Sequence, residues 1–168
     1  ILLFARQGMG SGRDGLDSSG EALAVRFYRE QVLRTKPDRI VLFDVGAFEG
    51  EYTGLLLRTF ADLPGVEVHA FEPAAPAFHE LSAKFAGHSR VRVVKAALGD
   101  RAATLSLHLD PSPKMNSLVQ RPYFETALAT EEVAVMTLDE YCARNSIASI
   151  SVLKIDVEGY EMNVLKGA

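Results

Sequence analysis

One stretch limits the possible folds more than any other: IVLFDVG, residues 40–46. Ile40, Val41, Leu42 and Phe43 run without a polar break into Asp44, and Gly46 follows Val45. A strand with one wet face alternates apolar and polar residues. A strand that is apolar throughout is covered on both faces, as in a parallel sheet flanked by helices. Tyr52, Leu55, Leu56 and Phe60 then recur at helical spacing until Pro64-Gly65. The pattern repeats. VEVHAFEP (66–73) reads as a second strand, and Phe78, Leu81 and Phe85 mark a second helix closed by Gly87. VRVVKAALGD (91–100) opens with a third strand, and ISVLKIDVEGYE (150–161) supplies a fourth and the start of a helix. Strand alternating with helix is the pattern of right-handed βαβ units. The expected class is therefore α/β, a Rossmann-like doubly wound and mostly parallel sheet.

Two regions depart from that rhythm. Residues 8–20, GMGSGRDGLDSSG, read as a glycine-rich connector. Ser18 and Glu21 have capping-box spacing, and Leu23, Ala24, Phe27 and Tyr28 continue a helix toward Pro37. TLSLHLD (104–110) and EVAVMTL (132–138) alternate like half-exposed strands, an inserted pair after the third strand. The segment between them, DPSPKMNSLVQRPYFET, is loop-like, and Thr137 with Glu140 forms a second capping box. The expected organisation is an N-terminal loop and helix over 1–39 and a main domain over 40–168. The chain opens without Met and ends at LKGA soon after the fourth strand, so a C-terminally incomplete domain is expected.

Composition narrows the function. A chain of 168 residues suggests one domain. A net charge of −4 with no basic run argues against nucleic acid as the main partner. The single cysteine, Cys142, allows neither an intrachain disulfide nor a cysteine-rich zinc site, and it fits a reducing, cytoplasmic setting. No stretch approaches the ~20 apolar residues of a membrane span. His69, His79, His88 and His108 show no ligand spacing, so no metal is expected, and His108 reads as a surface residue.

The chemistry concentrates at strand ends. In a doubly wound sheet, ligands bind beyond the carboxyl ends of the strands, where Gly46 stands. Glycine admits close backbone approach, and helix amides after the turn can meet an anionic group. Glu72 ends the next strand, placed to accept from ribose hydroxyls. Asp44, Gly46, Gly50 and Glu72 together indicate a nucleoside cofactor. Phe48 occupies the place where a dinucleotide fingerprint requires its second glycine, and the Gly-Lys-Ser/Thr of a phosphate loop is absent. A nucleoside without a diphosphate remains, and S-adenosylmethionine fits that description.

DVGAFEGEYT resembles the D-V-G-A-N-x-G-x-Y-T segment of FkbM-type methyltransferases, a branch of the class I enzymes that use S-adenosylmethionine. The likeness continues through HAFEP (69–73), AALGD (96–100), NSL (116–118), VMTLDEY (135–141) and LKIDVEGYEMNVLKGA (153–168), in the family's order. The resemblance implies methyl transfer to a hydroxyl of a small molecule or carbohydrate. It implies that Gly46 and Ala47 pass backbone along the cofactor, with Asp44 and Gly50 ordering the turn. Tyr52 and Thr53 would stand near the methionine carboxylate, Glu72 and the adjoining Pro73 at the ribose, and Leu98 and Asp100 beside the adenine. Asn116 and Ser117 would form a lid or cofactor contact.

Lys154, Asp156 and Glu158 alternate at the end of the fourth strand and are the catalytic candidates. Either Asp156 or Glu158 serves as general base, or Asp156 binds the cofactor amine while Glu158 caps the helix. Lys154, unusual in an apolar run, either snorkels to the sheet edge or pairs with an acid. Two departures stand out: the family commonly has Asn where this chain has Phe48, and its sheet continues past the fourth core strand. The competing function is an inactive protein that uses the fold for binding. A nucleotide-dependent oxidoreductase is disfavoured by Phe48.

Overall fold

The computed structural model describes residues 3–5, 20–110, 112–119 and 129–168. The connector over 8–19 and Ser18 of the first capping box lie outside the described residues. The chain forms strand β1 (Leu3–Ala5), helix α1 (Gly20–Thr35), β2 (Ile40–Val45), α2 (Glu51–Thr59), β3 (Val66–Phe71) and α3 (Ala75–Lys84). It continues through β4 (Val91–Val94), β5 (Ala97–Leu98), β6 (Ala103–His108), β7 (Thr130–Met136), α4 (Leu138–Arg144), β8 (Val152–Ile155) and α5 (Glu161–Lys166).

The main sheet has five strands in the order β1-β8-β2-β3-β4, all parallel. β2 is central, and its residues divide by period two. Ile40 and Leu42 pack with Val66, Val68, Leu56, Phe60 and Val25 under α1 and α2. Val41, Phe43 and Val45 pack with Leu138, Tyr141, Ile155 and Val164 under α4 and α5. Two cores, one per face, are why the run had to be apolar throughout. The strand at Leu3–Ala5 adds to the edge beside β8; the sequence pattern had suggested only a loop and a helix before residue 40.

The chain runs from β2 outward to β3 and β4, then crosses back to β8 on the other side of β2. That reversal is the topological switch point, and it opens a crevice beyond the carboxyl ends of β2, β3 and β8. Two residues after β4, the chain enters a second sheet in the order β5-β7-β6. β5 is parallel to β7 and β6 is antiparallel to it. β6 and β7 are the inserted pair, half-exposed as their alternation required. The Thr137–Glu140 capping box opens α4 with both reciprocal bonds formed.

His69, one of the four histidines without ligand spacing, is a core residue at 1% exposure. Its Nδ1 lies 2.7 Å from the Tyr141 hydroxyl, and its Nε2 lies 3.5 Å from Glu67 Oε2. Burial, helped by the nearby Arg92 charge, pushes its pKa down to about 4. The folded state therefore binds fewer protons than the unfolded state between about pH 4 and 6.5, and stability there rises with pH. The melting temperature is expected to fall as pH drops from 6.5 toward 4. In His69→Gln that slope should flatten, and an unchanged slope in the variant would assign the acid sensitivity elsewhere.

Candidate functional site

The switch-point cleft is walled by both sheets and holds about 600 Å3 of empty space, open solvent included. That lies within the range of small-molecule sites. One wall is the turn after β2, with Gly46 and Phe48. A second is the end of β3, with Phe71, Glu72 and Pro73, and a third is the passage through Ala96, Ala97 and Leu98. Asn116, Ser117 and Leu118 close it from the insertion, and Asp156 to Glu158 close it from the end of β8.

The turn is shaped by chain-to-chain contact. Gly46 has φ +76°, and a Cβ there would meet the Asp156 carbonyl oxygen at 1.9 Å. Its glycine is demanded by the β8 loop. Gly50, also at φ +76°, faces away: a Cβ would meet Leu81 and Phe85 of α3 at 2.5 Å. Its smallness serves helix packing. Phe48 carries φ +47°, a left-handed conformation that asparagine accepts more readily than a bulky side chain. The asparagine that the resemblance leads one to expect here would take this conformation with less strain. Phe48 tolerates the strain by packing against Ala74, Ala77, Leu107 and Val133, so it joins the turn to the second sheet.

Glu72 fixes the turn from the cleft side. Its Oε2 accepts from the Phe48 amide and its Oε1 from the Ala74 amide, both at 2.9 Å. The residue is 7% exposed, and burial pushes its carboxyl above the ordinary glutamate range against the pull of those two amides. Each oxygen keeps a further lone pair for a ligand hydroxyl.

Behind the turn lies a buried charge network. Asp44 is fully buried; its Oδ2 accepts from the Thr53 hydroxyl at 2.7 Å, and its Oδ1 stands 3.0 Å from Lys154 Nζ. The two residues face one another in register on β2 and β8. Lys154 Nζ also donates to the Gly46 carbonyl at 2.8 Å and sits 5.6 Å from the Tyr52 ring centroid. Burial, then the Asp44 charge, raises the Tyr52 phenol pKa and keeps it neutral. Of the two alternatives for Lys154, pairing with an acid is the one observed. Its ammonium faces the turn's rear and does not line the cleft. Asp44, Ala47, Gly50, Tyr52, Thr53 and Asp100 are likewise absent from the cleft wall, whereas Gly46, Glu72, Pro73, Leu98, Asn116, Ser117, Asp156 and Glu158 form part of it.

β8 ends at Ile155, so Asp156 and Glu158 lie beyond the strand and its alternation. Asp156 donates its amide to the Val45 carbonyl at 3.0 Å, and its side chain is 25% exposed, with Oδ2 at 3.9 Å from Lys154 Nζ. Glu158 has φ +53°, and its carbonyl accepts from the Ser117 hydroxyl at 2.7 Å. The carboxylate that closes this loop is Glu161, which accepts from the Val157 and Gly159 amides; the helix cap itself, Tyr160, makes no side-chain bond. Asn116 and Ser117 act first as fasteners. Asn116 Oδ1 accepts from the Asp110 amide, while Ser117 pairs its backbone with His108 and accepts from the Val119 amide.

Lys114 and Tyr160 also line the cleft, and the sequence reading passed over both. The fold brings Lys114 within 5.7 Å of the Phe48 ring centroid. Among the described residues no cluster of His, Cys, Asp or Glu could hold a metal ion, and no helix is long and apolar enough to cross a membrane.

A mostly parallel α/β sheet with its cleft at the switch point is the fold of the Rossmann-like methyltransferases. Residues 44–168 match the methyltransferase FkbM domain, and the chain belongs to that family. It is 30% identical to 31-O-demethyl-FK506 methyltransferase FkbM of Streptomyces tacrolimicus, over 88% of this chain and 66% of that protein. It is 27% identical to Methyltransferase 1 of Beauveria bassiana (strain ARSEF 2860), over 86% of this chain and 68% of that protein. The chain thus spans about two thirds of the length of these curated relatives. The crystal structure of methyltransferase FkbM from Methylobacillus flagellatus KT aligns with a TM-score of 0.50 at 20% identity, over 78% of this chain and 29% of that one. That likeness bears on the fold.

The buried pair makes a sharp expectation. Lys154→Met strands the Asp44 carboxylate and should cost about 3–5 kcal/mol in chemical denaturation. The double variant Asp44→Asn/Lys154→Met should recover part of the loss. A double variant no more stable than the single one would mean that the two charges are not coupled.

Proposed function

We propose that this chain is the S-adenosylmethionine-binding part of an O-methyltransferase acting on a hydroxyl of a small molecule or carbohydrate. The observation that carries the reading is Glu72: a nearly buried carboxylate at the end of β3, held by two amides and facing the switch-point cleft. A carboxylate so placed suits a pair of vicinal hydroxyls. The cleft around it fits the rest of such a cofactor. Ala97, Leu98 and Phe71 offer apolar surface for a base, and Pro73 adjoins Glu72. Bound S-adenosylmethionine would supply an electrophilic methyl on a sulfonium centre.

The chain's own part is positioning and exclusion of water. Gly46 lets the β2 turn and the β8 loop close on each other. Asp44 and Lys154 hold the turn from behind, and in this reading Lys154 is a positioning residue rather than a catalytic one. Tyr52 and Thr53 support the same network from α2 and do not reach the ligand. Asp156 is the carboxylate assigned to accept the proton of an acceptor hydroxyl, with Glu158 second. Asp100 lies outside the cleft wall, with Arg101 Nη1 3.6 Å from its Oδ2. The relative from Streptomyces tacrolimicus is named for methylation at a 31-O position, which supports oxygen as the acceptor atom.

Calorimetric titration with S-adenosylhomocysteine, with NAD as control, tests the cofactor. Binding of the first alone is expected. Glu72→Gln should weaken it by roughly 1–3 kcal/mol, the scale of charge-assisted hydrogen bonds. Unchanged affinity in a folded variant would remove Glu72 from the site. Across a panel of hydroxyl acceptors, Asp156→Asn should lower S-adenosylhomocysteine production about a hundredfold with little change in melting temperature. Full turnover in that variant would remove Asp156 as the base. Cofactor binding without turnover on any acceptor would favour a protein that uses the fold for binding only.

A further inference from the structure

Four of the cleft-lining residues carry a formal charge: Glu72, Asp156, Glu158 and Lys114. Three are acids. A ligand that brings a carboxylate of its own into this cleft needs a counter-charge, and Lys154, behind the β2 turn, is engaged with Asp44 and the Gly46 carbonyl. The N-terminus of α2 is a poor substitute. Gly50 at its cap faces α3, and Glu51 places a negative charge in its first turn.

Lys114 is held where a counter-charge is required. It sits in the tight turn Pro113–Met115 between β6 and β7. That turn is closed by the Met115 amide on the Ser112 carbonyl and by the Ser112 amide on Asp110 Oδ1. Asn116 bonds back to Asp110, and Ser117 ties the segment to β6 on one side and to Glu158 on the other. The backbone carrying Lys114 is thus fastened at both ends, while its side chain stays 61% exposed at the cleft rim. The ammonium lies 5.7 Å from the Phe48 ring centroid and 3.9 Å from Glu51 Oε2. Both neighbours belong to the segment that runs from the β2 turn into α2.

We propose that Lys114 binds the carboxylate of the cofactor's amino-acid tail, supplied across the cleft by the inserted sheet. The assignment rests on the S-adenosylmethionine reading and deepens it. The same ammonium chemistry would also suit an acidic acceptor, and the test separates the two sources.

Wild type, Lys114→Gln and Lys114→Arg are titrated with S-adenosylhomocysteine and with 5′-methylthioadenosine, which keeps the nucleoside and thioether but has no amino-acid tail. Lys114→Gln should weaken S-adenosylhomocysteine about tenfold and leave 5′-methylthioadenosine within about twofold, with Lys114→Arg restoring most of the loss. Added salt should weaken the wild-type complex more than the Gln variant's. Equal losses for both ligands would overturn the assignment in favour of a structural role. Unchanged S-adenosylhomocysteine affinity would overturn it in favour of the acceptor, with the cofactor reading intact. A wild-type chain that binds neither ligand would overturn the cofactor reading and this assignment with it.

Discussion

The cleft depends on two opposite charges buried in the middle of the sheet. Asp44 and Lys154 face each other across β2 and β8 at a separation of 3.0 Å, and each has a further polar partner. Thr53 donates to the acid, and the Gly46 carbonyl accepts from the ammonium. Desolvating two ions is expensive, and an apolar pair of similar volume would usually be as stable or more so. What an apolar pair could not do is reach from β8 to the backbone of the glycine turn. The ammonium links the central strand, its neighbour and the turn, so the turn's position is set by the sheet rather than by the loop's own preferences.

That anchoring explains which parts of the molecule were legible in the sequence. Four of the five main-sheet strands and their helices follow from apolar periodicity, which β2, β3 and β8, buried on both faces, cannot hide; the short edge strand β1 does not. Glu72 and Asp156 were legible for a simpler reason: an acid directly after a buried strand has to lie at the strand's carboxyl end. The glycines were only half legible. Gly46 and Gly50 look alike in sequence, but one makes room for the Asp156 carbonyl and the other for α3. Sequence spacing cannot distinguish a glycine that faces a ligand from one that faces a helix. Tyr52 and Thr53 suggest cofactor contacts because they neighbour the turn in sequence, and Lys154 suggests catalysis because it shares a strand end with Asp156, although its pairing with an acid was one of its two expected roles. Their side chains point to the turn's rear, a distinction that only the packing of α2 on the sheet supplies. Lys114 was illegible, since its place is created by the insertion folding back over Phe48.

The inserted sheet is more than an addition to a finished fold. Phe48 leaves the turn in a left-handed conformation and packs among Ala74, Ala77, Leu107 and Val133, residues drawn from α3 and from both long strands of the insertion. On the opposite side of the cleft, Ser117 bonds the carbonyl of Glu158, which also has positive φ. The insertion therefore grips the two loops that follow β2 and β8, at residues whose backbones are strained. Strain of about 1–3 kcal/mol at such positions persists only where surrounding contacts enforce it.

The two strained loops are also the two that the Asp44–Lys154 pair holds from below, through the Gly46 carbonyl on one side and the β8 backbone on the other. The cleft walls are thus fixed from beneath by an ion pair and from above by one aromatic ring and one hydroxyl. The upper contacts are the weaker set, because Phe48 is only partly buried and a single hydroxyl bond is worth about 1 kcal/mol. A ligand lying between Glu72, the insertion and Asp156 would touch both sets at once. Its binding energy would add most where the fold itself supplies least, at the junction between the inserted sheet and the two loops.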